Sequence, residues 1–106
     1  MNYIEIHEKA MQAAKEAAEQ AYQQHGDMSA CGFAWVKIFV DGRTKLGKSL
    51  AKIPGWSRSY DGSLQLWNPS KMGVQSVYIL EKGAEAYAKV FSELSGVKAY
   101  AGSRLD

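Results

Sequence analysis

The chain has 106 residues, 46% of them hydrophobic and 23% charged, with a formal net charge of +2. That is enough chain for a single domain, residues 1–106, which buries roughly two-thirds of its unfolded surface and needs no metal or disulfide staple to fold. The composition excludes disordered, collagenous and coiled-coil classes, no apolar run is long enough to span a bilayer, and the first thirty residues are too charged for a secretory leader.

Residues 2–25 predict one long helix, because Ile4, Met11, Ala14, Ala18, Ala21 and Tyr22 recur at helical spacing. Asn2 is placed to cap its start with Glu5 three residues on, and His25-Gly26 to stop it. Its inward stripe is mostly alanine, so another backbone can approach closely, either a sheet or a second copy of the helix. Residues 31–40 predict a strand whose apolar side chains occupy both parities, so both faces are at least partly covered, which favours a central strand. Asp41-Gly42 marks a turn. Residues 44–53 predict a short helix with Leu46, Leu50 and Ile53 on one side and Lys45, Lys48 and Lys52 on the other, ended by Pro54-Gly55.

Residues 56–60 and 63–67 flank Asp61-Gly62, the pattern of a hairpin with a two-residue type I′ turn. A strand is expected over 75–80. A helix follows over 81–95, with Ala84, Tyr87, Ala88, Phe91 and Leu94 inward and Gly96 as its stop. A short strand at 97–101 and a tail at 102–106 complete the chain. The order α-β-α-β-β-β-α-β gives an α+β fold: a mixed, mainly antiparallel sheet of four to five strands with helices mainly on one face. The strand–helix–strand run over 75–101 allows one parallel pair.

Charge is uneven along this order. Residues 1–30 carry two cations against five acids, and residues 31–71 carry seven against two, namely Lys37, Arg43, Lys45, Lys48, Lys52, Arg58 and Lys71 against Asp41 and Asp61. The remaining residues balance. The middle of the chain is therefore a candidate face for an anionic ligand. Trp35, Phe39, Trp56, Tyr60 and Trp67 fall in or beside the same segment. Bases stack on exposed rings while Lys and Arg follow phosphates. These aromatics are either a nucleic-acid surface or simply the core with the lysines as its solvated rim. What separates the two is whether Trp56, Arg58 and Tyr60 point away from the helices.

Residues 42–49, Gly-Arg-Thr-Lys-Leu-Gly-Lys-Ser, match the phosphate-binding loop pattern, with Lys48 for terminal phosphates and Ser49 for Mg²⁺. Arg, Lys and Leu between the glycines oppose close wrapping of a phosphate. Leu46 also belongs to the apolar stripe of the short helix, so the helix is expected to begin before Gly47 and displace the loop. Nucleotide hydrolysis is the remote reading and a surface helix with a lysine face the preferred one.

Enzyme signatures are otherwise missing. His7 and His25 are too far apart on one helix to meet, and are read as surface or helix-end residues. Cys31 has no internal disulfide partner, which fits a reducing compartment, and is read as a buried structural thiol. Ser57, Ser59 and Ser63 have no nucleophile context. No catalytic residues, cofactor or metal site are expected, and the chain is read as a non-enzyme.

The stretch Cys31-Gly-Phe-Ala-Trp-Val36 and the ending Tyr100-Ala-Gly-Ser-Arg-Leu-Asp106 resemble small proteins encoded by tailed bacteriophages and recovered from marine or metagenomic DNA. The resemblance implies a bacterial-cytoplasm setting and assigns no functional residue. The sequence thus points to a cytoplasmic accessory protein that touches DNA or RNA through residues 37–60, with Lys37, Arg43, Lys45, Lys48, Lys52, Trp56, Arg58 and Tyr60 as contact residues. The alternative is a protein–protein module, either a homodimer through the alanine stripe or a basic face that docks a host protein.

Overall fold

Seven elements follow one another: α1 (Tyr3–His25), β1 (Gly32–Ile38), α2 (Lys45–Ala51), β2 (Ser57–Arg58), β3 (Leu64–Trp67), α3 (Val77–Ser95) and β4 (Tyr100–Leu105). The structure, a computed structural model, describes residues 2–27 and 30–105. It is a single-domain α+β fold. The four strands lie in the order β2-β3-β1-β4, with every pairing antiparallel.

The helix ends are set by local chemistry. Asn2 accepts the Glu5 amide at 2.8 Å at the start of α1, and Gly26, at φ 66°, closes it with a bond to the Tyr22 carbonyl. Thr44 caps α2 through the Gly47 amide, and Ser76 caps α3 through the Ile79 amide. Such caps satisfy amides that the helix itself leaves without partners.

Three expectations change. The strand at 75–80 does not form: α3 already begins at Val77, and what remains is one bridge between Cys31 and Ser76. Val77–Leu80 favours a strand locally, but Ile79, Leu80, Gly83, Ala84, Tyr87, Ala88 and Phe91 are buried along one helix. Packing of that stripe outweighs local preference. Without that strand the parallel pair is lost too. The last strand is Tyr100–Leu105 and not 97–101, because the amides of Val97 and Ala99 are taken by Ser95 and Ser92 at the end of α3. Most of the expected tail is therefore strand; Asp106 lies outside the described residues.

The third change is the hairpin turn. Ser59 N–H bonds to the Ser63 carbonyl, and Gly62 N–H to the Ser59 carbonyl, so three residues close the loop. Gly62 has φ 89°, while Asp61 is not in the left-handed region that a type I′ turn needs at both central positions.

The core lies between the helices and one face of the sheet. Ala34, Val36 and Ile38 of β1 and Leu64 and Leu66 of β3 meet Ile6, Ala10 and Ala14 of α1 and Ala84, Tyr87 and Phe91 of α3. The alanine stripe of α1 is consumed here, with Ala10, Ala14 and Ala18 fully buried within the chain. A Cβ on Gly83 would stand 3.3 Å from the Ala14 carbonyl oxygen, so the two long helices touch almost backbone to backbone. The stripe is therefore not open to a second copy.

One polar chain crosses this core. Trp56 Nε1 donates to the Tyr87 hydroxyl at 3.1 Å, and the same hydroxyl lies 2.6 Å from His7 Nδ1. The indole N–H can only donate, and His7 Nδ1 is the one acceptor within reach of the Tyr87 hydroxyl among the described residues, so the tautomer that satisfies the buried phenol proton is the one in which His7 accepts it as a neutral ring. Burial pushes the His7 pKa down and raises that of Tyr87 well above a phenol's usual value. His7 is thus a core residue and not the surface histidine expected.

Candidate nucleic-acid interface

Side chains alternate across a strand, so Phe33, Trp35 and Lys37 face away from the core that Ala34, Val36 and Ile38 enter. The register extends this outer face sideways. Trp35 pairs with Trp67 on one side and Gly102 on the other, Lys37 with Gln65 and Tyr100, and Phe33 with Arg104. Of the two long helices, α3 packs on the inner face, against β1 and β4, and α1 packs chiefly on α3. Phe33, Trp67 and Tyr100 are accordingly 40%, 45% and 47% exposed. β1 is the central strand expected, flanked by β3 and β4; its outer face, expected at least partly covered, is only half-buried, with Trp35 and Lys37 intermediate and Phe33 exposed, and its apolar members are aromatic.

The rings form one contiguous cluster. Trp67 lies 5.2 Å from Trp35 and 6.1 Å from Phe33 between centroids, and the Arg104 guanidinium stands 5.5 Å from the Phe33 ring. Trp35 is seated by Gly102, where a Cβ would fall 2.6 Å from its indole nitrogen. A second pair, Phe39 and Tyr100, lies 5.8 Å apart with the Lys98 ammonium 5.5 Å from the Tyr100 ring. A depression of about 500 Å³ opens among Trp35, Trp67, Gln65, Arg104 and the hairpin residues Ser57–Tyr60.

Lys37 is held at the edge of this depression by Asp61, at 2.6 Å. Asp61 also accepts the Ser63 amide and hydroxyl, at 3.0 and 2.6 Å. Lys37 first, and then Ser63, hold the Asp61 carboxyl far below the usual carboxylate range. Any anion that engages Lys37 must compete with this carboxylate.

The structure divides the expected contact residues. Lys37, Arg58 and Tyr60 line the depression, with Tyr60 fully exposed at the hairpin tip. Arg58 uses its guanidinium on the Val40 and Gly62 carbonyls, at 3.1 and 2.7 Å. Trp56 is overturned as a contact residue: it is 7% exposed and packs on Tyr87 and Phe91. Trp56, Arg58 and Tyr60 therefore do not share one outward face. Arg43 pairs with Asp41 at 3.1 Å. Lys45, Lys48 and Lys52 are exposed on or just after α2. That helix buries Leu50, with Ile53 just beyond it, in the same core as the inner sheet face, so its lysines belong to the helical side and not to the aromatic face.

Three members of this face lie outside the sequence reading of a contact surface: Phe33, not singled out among the aromatics, and Tyr100 and Arg104, which fall in the expected last strand and tail, far from the basic segment. The signal that could have found the face is the shared parity of Phe33, Trp35 and Phe39, positions that a solvated strand face would fill with polar side chains, as it does at Lys37.

The phosphate-loop pattern is occupied by its own chain. The amides of Arg43 and Thr44 donate to Asp41, and those of Gly47 and Lys48 to Thr44. Gly47 is buried inside α2, with its Cα so close to the Asp41 carbonyl that a Cβ would stand 2.2 Å from that oxygen. These four amides leave no cradle for a phosphate, and an acid sits at its mouth. Cys31, expected buried, is exposed, with its thiol 3.4 Å from Gln75 Oε1. Among the described residues no group of three His, Cys, Asp or Glu side chains is placed to hold a metal ion, and no helix is long and apolar enough to cross a membrane.

Comparison of the chain with protein-family models, with curated proteins and with solved structures finds no match.

Proposed function

We propose that this protein is a non-enzymatic accessory protein that binds single-stranded DNA or RNA on the open face of its sheet. The observation that carries the reading is the contiguous Phe33–Trp67–Trp35 cluster, uncovered by any helix and bordered by Arg104 and Lys37. Unstacked bases find ring faces there, and their phosphates find cations at the border. A single strand fits better than a duplex, whose bases are already stacked on one another. The contact set thus moves from residues 37–60 to Phe33, Trp35, Trp67, Tyr100, Arg104 and Lys37, with Tyr60 at the rim.

The test is anisotropy of labelled single- and double-stranded oligonucleotides over a salt series. Three cations border the rings, Lys37, Arg104 and Lys98, so log K against log salt should fall with a slope of about −2 for a single strand. Duplex should bind more weakly. No binding at low salt, or a preference for duplex, would remove the reading. The exposed lysines of α2, turned to another side, support a second reading, the docking of an acidic protein partner. That reading predicts no oligonucleotide binding and a complex abolished by the triple substitution Lys45/Lys48/Lys52→Ala.

A further inference from the structure

A second concave site lies between α1 and the loop after β3, sharing no residue with the aromatic face. It is a groove of about 470 Å³, within the size range of small-molecule sites. Its apolar wall is Met11, Met72 and Pro69, and Met side chains reshape readily around a ligand. His7 lines it as well. His7 Nδ1 is committed to the Tyr87 hydroxyl, which fixes the proton on Nε2. Among the described residues no buried side-chain nitrogen or oxygen lacks a partner, and Nε2 has none, so Nε2 reaches solvent where His7 borders the groove. The groove therefore holds a preoriented N–H donor.

Cations flank that donor. Lys15 and Lys71 line the same groove, opposed by one acid, Glu8. Lys71 is held at φ 59°, a left-handed conformation unfavourable for a residue with a Cβ. The loop imposes it: Lys71 N–H bonds to the Asn68 carbonyl at 3.0 Å, and Asn68 Nδ2 donates to the Met72 carbonyl at 3.1 Å. Burial keeps the His7 ring neutral against the nearby Glu8 carboxylate, which favours protonation, and the Lys71 charge adds a smaller contribution on the side of burial.

We propose that this groove binds a small amphipathic carboxylate, with its apolar body on Met11, Pro69 and Met72 and its carboxylate on His7 Nε2–H and Lys71. Two cations against one acid suit a monoanion, and Glu8 opposes a second negative charge of the kind a phosphate monoester carries.

The probe is octanoate, titrated against protein labelled on methionine methyl groups and followed by NMR, with octanol and octylamine as tails of equal length and different charge. Octanoate should shift the Met11 and Met72 methyl signals and the His7 ring signals along one saturable curve, and both other tails should bind at least about tenfold more weakly, the effect of one lost charge-assisted hydrogen bond. Lys71→Gly keeps the backbone conformation and removes the ammonium. It should weaken octanoate by about tenfold without lowering the melting temperature. Equal binding of octanol or octylamine, an unchanged affinity in Lys71→Gly, or no saturable shift up to about 10 mM octanoate would overturn the proposal.

Discussion

Tyr87→Phe isolates the polar chain through the core. The substitution keeps the ring, its near-parallel stacking on Phe91 at 5.7 Å and its contact with Trp56. It removes one hydroxyl, and with it the acceptor of Trp56 Nε1 and the donor to His7 Nδ1. Each buried polar group stripped of its partner costs about 1–3 kcal/mol, so the loss should total about 3 kcal/mol. For a domain near this length each kcal/mol moves the melting temperature by roughly 4–8 °C, which predicts a fall of about 12 °C or more. Thermal melts and urea titrations would measure it. Pairing the change with Trp56→Phe in a double-mutant cycle should give less than the sum of the single effects, because both remove the same bond. A fall under about 3 °C, comparable to a neutral surface change, or strict additivity would refute the account of this chain.

Three further outcomes are expected. Gly47→Ala should destabilise by about 1–3 kcal/mol despite alanine's better helix propensity, because the new methyl meets a backbone carbonyl that Thr44 already engages, whereas Lys48→Ala on the same helix should stay within about 0.5 kcal/mol; equal urea midpoints for the two would contradict the packing argument. Stability should fall as pH drops below about 6.5, since His7 binds a proton more readily in the unfolded chain than in the fold, and the loss should continue until the lowered folded pKa is passed. His7→Asn, which keeps an acceptor toward Tyr87, should lose that slope, and urea midpoints between pH 5 and 8 would show whether it does. At lower pH, Asp61 and Asp41, whose pKa values are depressed by Lys37 and Arg43, should add a smaller loss that begins near pH 3.8 and grows as pH falls through their folded values.

The sequence showed α1, β1, α2 and the end of α3 well, because caps and apolar periodicity are local. Asn2, Gly26 and Gly96 act where their chemistry suggested. It misplaced the start of α3, since Val77–Leu80 has the composition of a strand and only the burial of Ile79 and Leu80 beside Gly83 and Ala84 makes it helix. The two apolar parities of β1 marked it as an interior strand of the sheet but not that its outer face lacks a helix, because the number of layers on a sheet is a property of the whole fold. Trp56 and Trp67 look alike in sequence, and what separates them is Tyr87, thirty-one residues beyond Trp56, which supplies the acceptor that draws its indole inward. The proposed binding face was half legible: its rings lie near the basic segment, while Arg104 and Tyr100 arrive through pairing of β4 with β1, a contact no local pattern announces.

The most direct test of the central claim is quenching of tryptophan fluorescence by oligothymidylate in the native protein and in two variants. Trp35 and Trp67 border the open face while Trp56 is buried, so stacked bases should quench the outer indoles and leave a residual emission from the inner one. Phe33→Ala/Trp67→Ala should weaken binding by about 2–6 kcal/mol, the loss of two stacked bases, while Lys45/Lys48/Lys52→Ala should leave the quench at saturation unchanged. Binding that survives the loss of the rings and vanishes with the three lysines would contradict the account.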